Sequence, residues 1–141
     1  MTRPSRYAGH MGAWGAGVFE NDDAADWVWE LEDDEDGSVI DDALTAVVDT
    51  PRGEVVDAGD ASNALAAAEI VAAARGRQLA QLPTEAAEWI RRNSALVTDA
   101  VVDLARRAVT RVATSSELRD LWEDAGDPAW AESVRTLQAR L

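Results

Sequence analysis

The sharpest chemical oddity in the chain is one carboxylate, Glu69, inside the run Ala64-Leu-Ala-Ala-Ala-Glu-Ile-Val-Ala-Ala-Ala74. A helix that is apolar on every side is normally a buried one. A carboxylate in that setting must be paired, hydrogen-bonded or neutral, because burying it bare is expensive. Two readings stay open. In one, Glu69 is a general acid or base with a pKa raised by its pocket. In the other, it forms a core ion pair or hydrogen bond that fixes the register of its helix. Arg107 and Arg111, which flank the apolar face of a later helix, are the candidate partners, with loop amides near Trp14 and indole N–H groups as others. No histidine, serine motif or second carboxylate accompanies Glu69, so the structural reading is favoured and no catalytic residue is assigned beyond this one candidate.

Two further acidic groups have spacings that invite a metal. Asn21, Asp22, Asp23 and Asp26 lie close enough in sequence to bind Mg²⁺ or to share a proton. They also fit the start of a helix, where Asn21 caps the first turn and carboxylates stabilise the macrodipole. In Glu32-Asp-Asp-Glu-Asp-Gly-Ser-Val-Ile, Glu32, Asp34 and Asp36 fall at positions 1, 3 and 5 of an EF-hand loop, with Gly37 at position 6. Position 12 is Ala43, where a calcium loop needs a bidentate Glu. The metal candidates are therefore Asp22, Asp23, Asp26, Asp34 and Asp36. The competing readings are helix capping and a solvated acidic turn, and no cofactor is implied.

Composition removes other chemistries. There is no cysteine, hence no disulfide, thiolate nucleophile or Cys-based zinc site. The only histidine is His10, and all thirteen basic residues are arginine, which excludes a P-loop or Schiff-base lysine. The net charge is −14, and its placement is uneven. Glu20 to Asp60 holds sixteen acidic residues against Arg52 alone, a net −15; the remainder holds eleven against twelve arginines. Nucleic acid and anionic membranes are poor partners for such a chain, because both need clustered bases.

The elements that must position these residues read as helices. From about Asn21 to Glu32, Ala24, Trp27, Val28 and Leu31 form an i, i+3, i+4, i+7 stripe. Trp29 projects instead onto the acidic face. Ser38 starts a second helix with Ile40, Ala43, Leu44, Val47 and Val48. Asp60 is read as the cap of the alanine-rich third helix, with Gly76 as its stop. Glu54 to Asp57 is a short extended piece with no partner in sight. Pro83 and Thr84 begin a fourth helix, with Ala86, Trp89 and Ile90 inward. The fifth, about Leu96 to Ala113, presents Val97, Val101, Leu104, Ala108 and Val112, with Asp103 and Arg107 paired. Thr114 and Glu117 suggest a capping box for the sixth, with Leu118, Leu121, Trp122 and Ala125 inward. Asp127 and Pro128 open the last, with Trp130, Val134, Leu137 and Leu141 inward. The reading is an all-α, irregular bundle of about six or seven helices behind a Gly/Trp-rich N-terminal loop.

Met11-Gly-Ala-Trp-Gly-Ala-Gly-Val-Phe-Glu-Asn-Asp-Asp-Ala-Ala-Asp-Trp27 resembles the opening of the domain-of-unknown-function family 4259, small and mostly bacterial proteins that begin with a WGxGxFxNDDAxD-type segment. Ala64 to Ala74 is similar to that family's alanine-rich AAAE helix, and Ser116-Glu-Leu-Arg-Asp-Leu-Trp-Glu123 gives a third match. The resemblance marks Trp14, Gly15, Gly17, Phe19, Asn21, Asp22, Asp23, Trp27 and Glu69 as positions of a structural motif. It implies a fold unit and no activity. It also suggests that Met11 is the true start, with residues 1–10 a tail and 11–141 a single domain. A chain shortened by residues 1–10 is expected to melt with the full chain.

The functional expectation is a cytoplasmic, non-enzymatic module that binds an unknown protein partner, in the manner of inhibitor or immunity-like proteins; a basic partner would suit its charge. Trp29, Asp33, Asp34, Glu35 and Asp36 would form its binding surface, since Trp anchors interfaces and carboxylates steer encounter. The alternative is a small carboxylate-based, metal-assisted hydrolase. Carboxylates gathered in a cleft would favour the enzyme; carboxylates spread over a convex face would favour binding.

Overall fold

The computed structural model describes residues 17–77 and 82–141. Seven α-helices occur among them: α1 (Asp22–Val28), α2 (Ser38–Val48), α3 (Ala58–Ala74), α4 (Thr84–Asn93), α5 (Asp99–Thr114), α6 (Glu117–Ala125) and α7 (Ala129–Arg140). Two short 3₁₀ segments, Trp29–Asp33 and Ser94–Leu96, join them, and no strand is present among the described residues. The irregular all-α bundle expected from the sequence is the observed fold. No described helix is long and apolar enough to cross a membrane. Trp14, Gly15, Met11 and the 1–10 tail lie outside the described residues.

Alanine builds the centre. Helix α3 is buried continuously from Ala64 to Ala72 and packs against α1, α2, α4, α5, α6 and α7. Its short side chains let these neighbours approach one axis. Larger side chains fill the space between: Leu31, Leu44, Leu65, Ile70, Trp89, Val109 and Leu137 are all buried to 2% exposure or less. Each contributes about 1.5–3 kcal/mol of transfer free energy.

The ends of the elements depart from the sequence reading in informative ways. Asn21 caps α1 as expected, its Oδ1 accepting from the Ala24 amide at 2.8 Å. But α1 stops at Val28 and tightens into the 3₁₀ turn instead of running to Glu32. The run of carboxylates from Glu32 to Asp36 would sit at the negative end of a longer helix, which disfavours extending it. The cap of α3 is Asp57, not Asp60; Asp57 Oδ1 accepts from the Asp60 amide at 2.8 Å. Gly76 stops α3 in the left-handed region, at φ +82°. Val56 does have a partner: its amide donates to Ser115 O at 3.1 Å and its carbonyl accepts from Glu117 N at 2.8 Å. Ser116, not Thr114, caps α6, and the Glu117 carboxylate accepts from the Ala58 amide at 2.9 Å. The buried face of α5 runs through Val102, Ala105, Ala108, Val109 and Val112, so Val101 and Leu104 are half-buried flanks. Leu121 is exposed, because the packed face of α6 centres on Leu118 and Trp122.

Candidate functional site

The acidic turn is built around one buried member. Asp34 is only 5% exposed, unlike its neighbours Asp33 and Glu35. Its Oδ2 accepts from the Trp89 indole N–H at 2.7 Å and the Gly37 amide at 3.1 Å. Its Oδ1 accepts from the Ser38 hydroxyl and the Val39 amide, both at 3.3 Å. Its carbonyl accepts from Asn93 Nδ2 at 3.3 Å. Gly37 turns the chain at φ +82°, a conformation that costs any L side chain. Asp34 must therefore be withdrawn from the expected binding surface: its lone pairs are spent on donors that close the turn and dock it on α4.

The same geometry shows what holds the loop that has EF-hand spacing but lacks the closing Glu. Carboxylate-to-amide bonds hold this loop in the way that a cation holds a calcium loop. Among the described residues, no group of three carboxylates is placed to hold a metal ion, whether Asp22, Asp23 and Asp26 or the acidic turn. Asp22 and Asp23 occupy the first turn of α1, as capping requires. Gly17 fits tightly before them: its amide donates to Glu20 Oε1 at 2.8 Å, and an added Cβ would stand 2.5 Å from that oxygen. Phe19 packs against the core as a half-buried side chain, and Trp27 is buried in it.

What remains at the surface is a ridge. Trp29 is 63% exposed, the most exposed large apolar side chain described. Glu30, Glu32, Asp33, Glu35 and Asp36 are exposed beside it. Glu30, Asp33, Glu35 and Asp36 rim a shallow open depression with Ser38 and Val39. The Ser38 amide, then its hydroxyl, hold the Asp36 carboxyl below its ordinary range. Asp41 lies just beyond; its pKa is raised by partial burial first, then by Asp42, Asp34 and Asp36. Seven ion pairs between described residues use Glu69, Glu88, Asp99, Asp103, Asp120, Glu123 and Glu132 as their acids. The ridge carboxylates take part in none of them.

Glu69 is 3% exposed, as the alanine-rich helix demanded. Its partner is neither Arg107 nor Arg111 but Arg140, seventy-one residues on at the end of α7. The contact is bidentate: Arg140 Nη2 donates to Oε1 at 2.9 Å, and Nη1 donates to Oε2. Arg107 pairs with Asp103 at 3.2 Å. Arg111 instead gathers the carbonyls of Thr50, Pro51 and Glu54 at 2.9, 3.1 and 2.7 Å, fixing the turn that leads into Val56. Both oxygens of Glu69 are committed to one guanidinium, which is the arrangement of a register-fixing pair and not of a general base.

The sequence model of a domain of unknown function (DUF4259) matches residues 12–133, most of the chain. The chain belongs to that family. No curated protein and no solved structure shows a significant match to it. The DUF4259 match covers the Gly17–Asp23 entry to α1, the acidic turn and the Glu69 helix, but it stops short of Arg140. Of the candidate surface residues, Trp29 and the flanking carboxylates were legible in sequence. Asp34 was not separable from Asp33 or Glu35 by composition. The available signal was its spacing to Gly37, since an Asp three residues before a turn glycine can bond the glycine's amide.

Proposed function

We propose that this DUF4259 protein is a non-enzymatic binding module whose acidic ridge receives a basic protein partner. Trp29 is the apolar anchor; Glu30, Glu32, Asp33, Glu35 and Asp36 steer and select. The observation that carries the reading is the exposure of Trp29 amid carboxylates that are committed to no internal arginine. An indole left in water is costly unless something covers it, and Trp is enriched where interfaces concentrate their energy. Unpaired like charges repel one another in the free protein and are relieved by a partner of opposite sign. The carboxylates rim a shallow, open depression and do not close around a pocket, which supports binding over hydrolysis.

The test is comparative capture. The chain, a Trp29→Ala variant and a Glu30→Arg/Asp33→Arg/Glu35→Arg variant are immobilised side by side and exposed to host lysate at low salt. A basic protein retained by the parent and lost from both variants is the expected result. Equal retention of the same proteins by all three would sink the proposal.

A further inference from the structure

We infer that a second site, at the opposite extreme of charge, binds a small multiply charged anion. A cavity of about 290 Å³ lies where the C-terminal ends of α3 and α7 meet the start of α5. Val71, Ala72 and Val102 back it, all of them buried. Four arginines line it: Arg75, Arg77, Arg106 and Arg140. Two are neutralised, Arg75 by Asp99 at 2.9 Å and Arg140 by Glu69. The other two meet only main-chain oxygens among the described residues. Arg77 Nη1 donates to Arg140 O at 3.3 Å, and Arg106 Nη2 donates to Leu141 O.

Counting side chains alone, the cavity carries two positive charges in a protein of net charge −14. A free carboxylate at Leu141 would pair with Arg106 and leave the charge of Arg77 whole. A guanidinium offers five N–H donors, and one or two carbonyl contacts leave most of them for a ligand. The helix C-termini explain why arginines gather here, since their dipoles favour cations. They do not explain a cavity held open between four of them. The planar forks of Arg77 and Arg106 suit the oxygens of a phosphate or carboxylate group. The volume admits a compact phosphate ester or polycarboxylate. The net charge of the protein disfavours anions at its surface, so saturable binding confined to these arginines would point to the cavity.

The experiment is a titration of the full chain with inorganic phosphate, pyrophosphate and citrate at constant ionic strength, followed by the arginine Nε–H NMR signals. Saturable shifts confined to Arg75, Arg77, Arg106 and Arg140 are expected from at least one probe, and the best probe separates phosphate from carboxylate recognition. Arg77→Gln, an exposed position that leaves the fold intact, should weaken that binding at least about tenfold, the loss of a charged hydrogen bond. Arg106→Lys should weaken it although it keeps the charge, because the fork is lost. Arg135→Gln removes the same charge outside the cavity and should leave binding unchanged. Linear, unsaturable shifts with all three probes, or equal weakening by Arg77→Gln and Arg135→Gln, would overturn the assignment.

Discussion

The indole nitrogen of Trp89 lies 2.7 Å from Asp34 Oδ2, and that bond fastens the acidic turn to helix α4 across fifty-five residues of sequence. Trp89 is 1% exposed and has no access to water, so its N–H depends on this acceptor. The turn is thereby held from inside, while its outer carboxylates form no ion pair with an arginine. A rigid surface loses less entropy on binding than a mobile one.

Asp34→Ala should therefore cost on the order of 3 kcal/mol of folding stability, the sum of lost charged hydrogen bonds and a stranded indole donor. Asp33→Ala, one residue away and exposed, should change stability by less than about 0.5 kcal/mol. Urea denaturation of the two variants checks the contrast. Equal effects would mean that Asp34 is only another surface carboxylate.

Glu69 and Arg140 should behave as one unit. Glu69→Leu leaves a partly buried guanidinium unpaired and should destabilise the fold by about 3–5 kcal/mol. Adding Arg140→Leu should recover much of that loss, because two apolar residues can replace a buried pair. Glu69→Gln should cost less than Glu69→Leu, since its amide oxygen still accepts. A double-mutant cycle by thermal or chemical unfolding gives the coupling directly. Additive single effects would show that the pair is not coupled.

Much of this architecture could be read from the sequence, and the failures that bear on the site share a cause. Several local signals held: the Asn21 cap, the Gly76 stop, the all-round apolar α3 and the outward Trp29 each depend on residues within a turn or two of one another, whereas the Thr114 cap and the Glu32 helix end did not. What the sequence withheld was long-range. Nothing local distinguishes Arg140 from Arg107 or Arg111 as the partner of Glu69, and nothing near Val56 announces Ser116. The cap of α3 moves from Asp60 to Asp57 because two aspartates three apart both fit a cap, and the bridge at Val56 decides between them. Asp34 reads as a surface residue because its chemistry equals that of its neighbours. Only the fold puts Trp89 beneath it.

The pH dependence follows from Asp41. Burial and its acidic neighbours raise its pKa in the folded state. Its carboxyl thus binds a proton more readily folded than unfolded. The stabilisation is complete below the unfolded pKa, about 4, and is lost as pH rises through the higher folded value. Asp41→Asn should consequently raise the melting temperature at pH 7, and the gain should vanish at pH 3. Asp36 has the opposite sign: its lowered pKa contributes above the unfolded value and is lost on acidification, so Asp36→Asn should lower the melting temperature at pH 7. Calorimetry at the two pH values reads both. A gain from Asp41→Asn that persisted unchanged at pH 3 would refute the electrostatic account.

The ridge as a binding surface is tested most directly by the association rate with the captured basic partner, measured by stopped flow from about 10 mM to 500 mM salt, a range over which the Debye length falls from roughly 30 Å to a few ångströms. The parent chain should associate at least about tenfold more slowly at the high end, as steered encounters do. The Glu30→Arg/Asp33→Arg/Glu35→Arg variant should be slow throughout, with a flat salt dependence and an unchanged melting temperature. An association rate indifferent to salt and equal in parent and variant would contradict the claim that this surface is the interface.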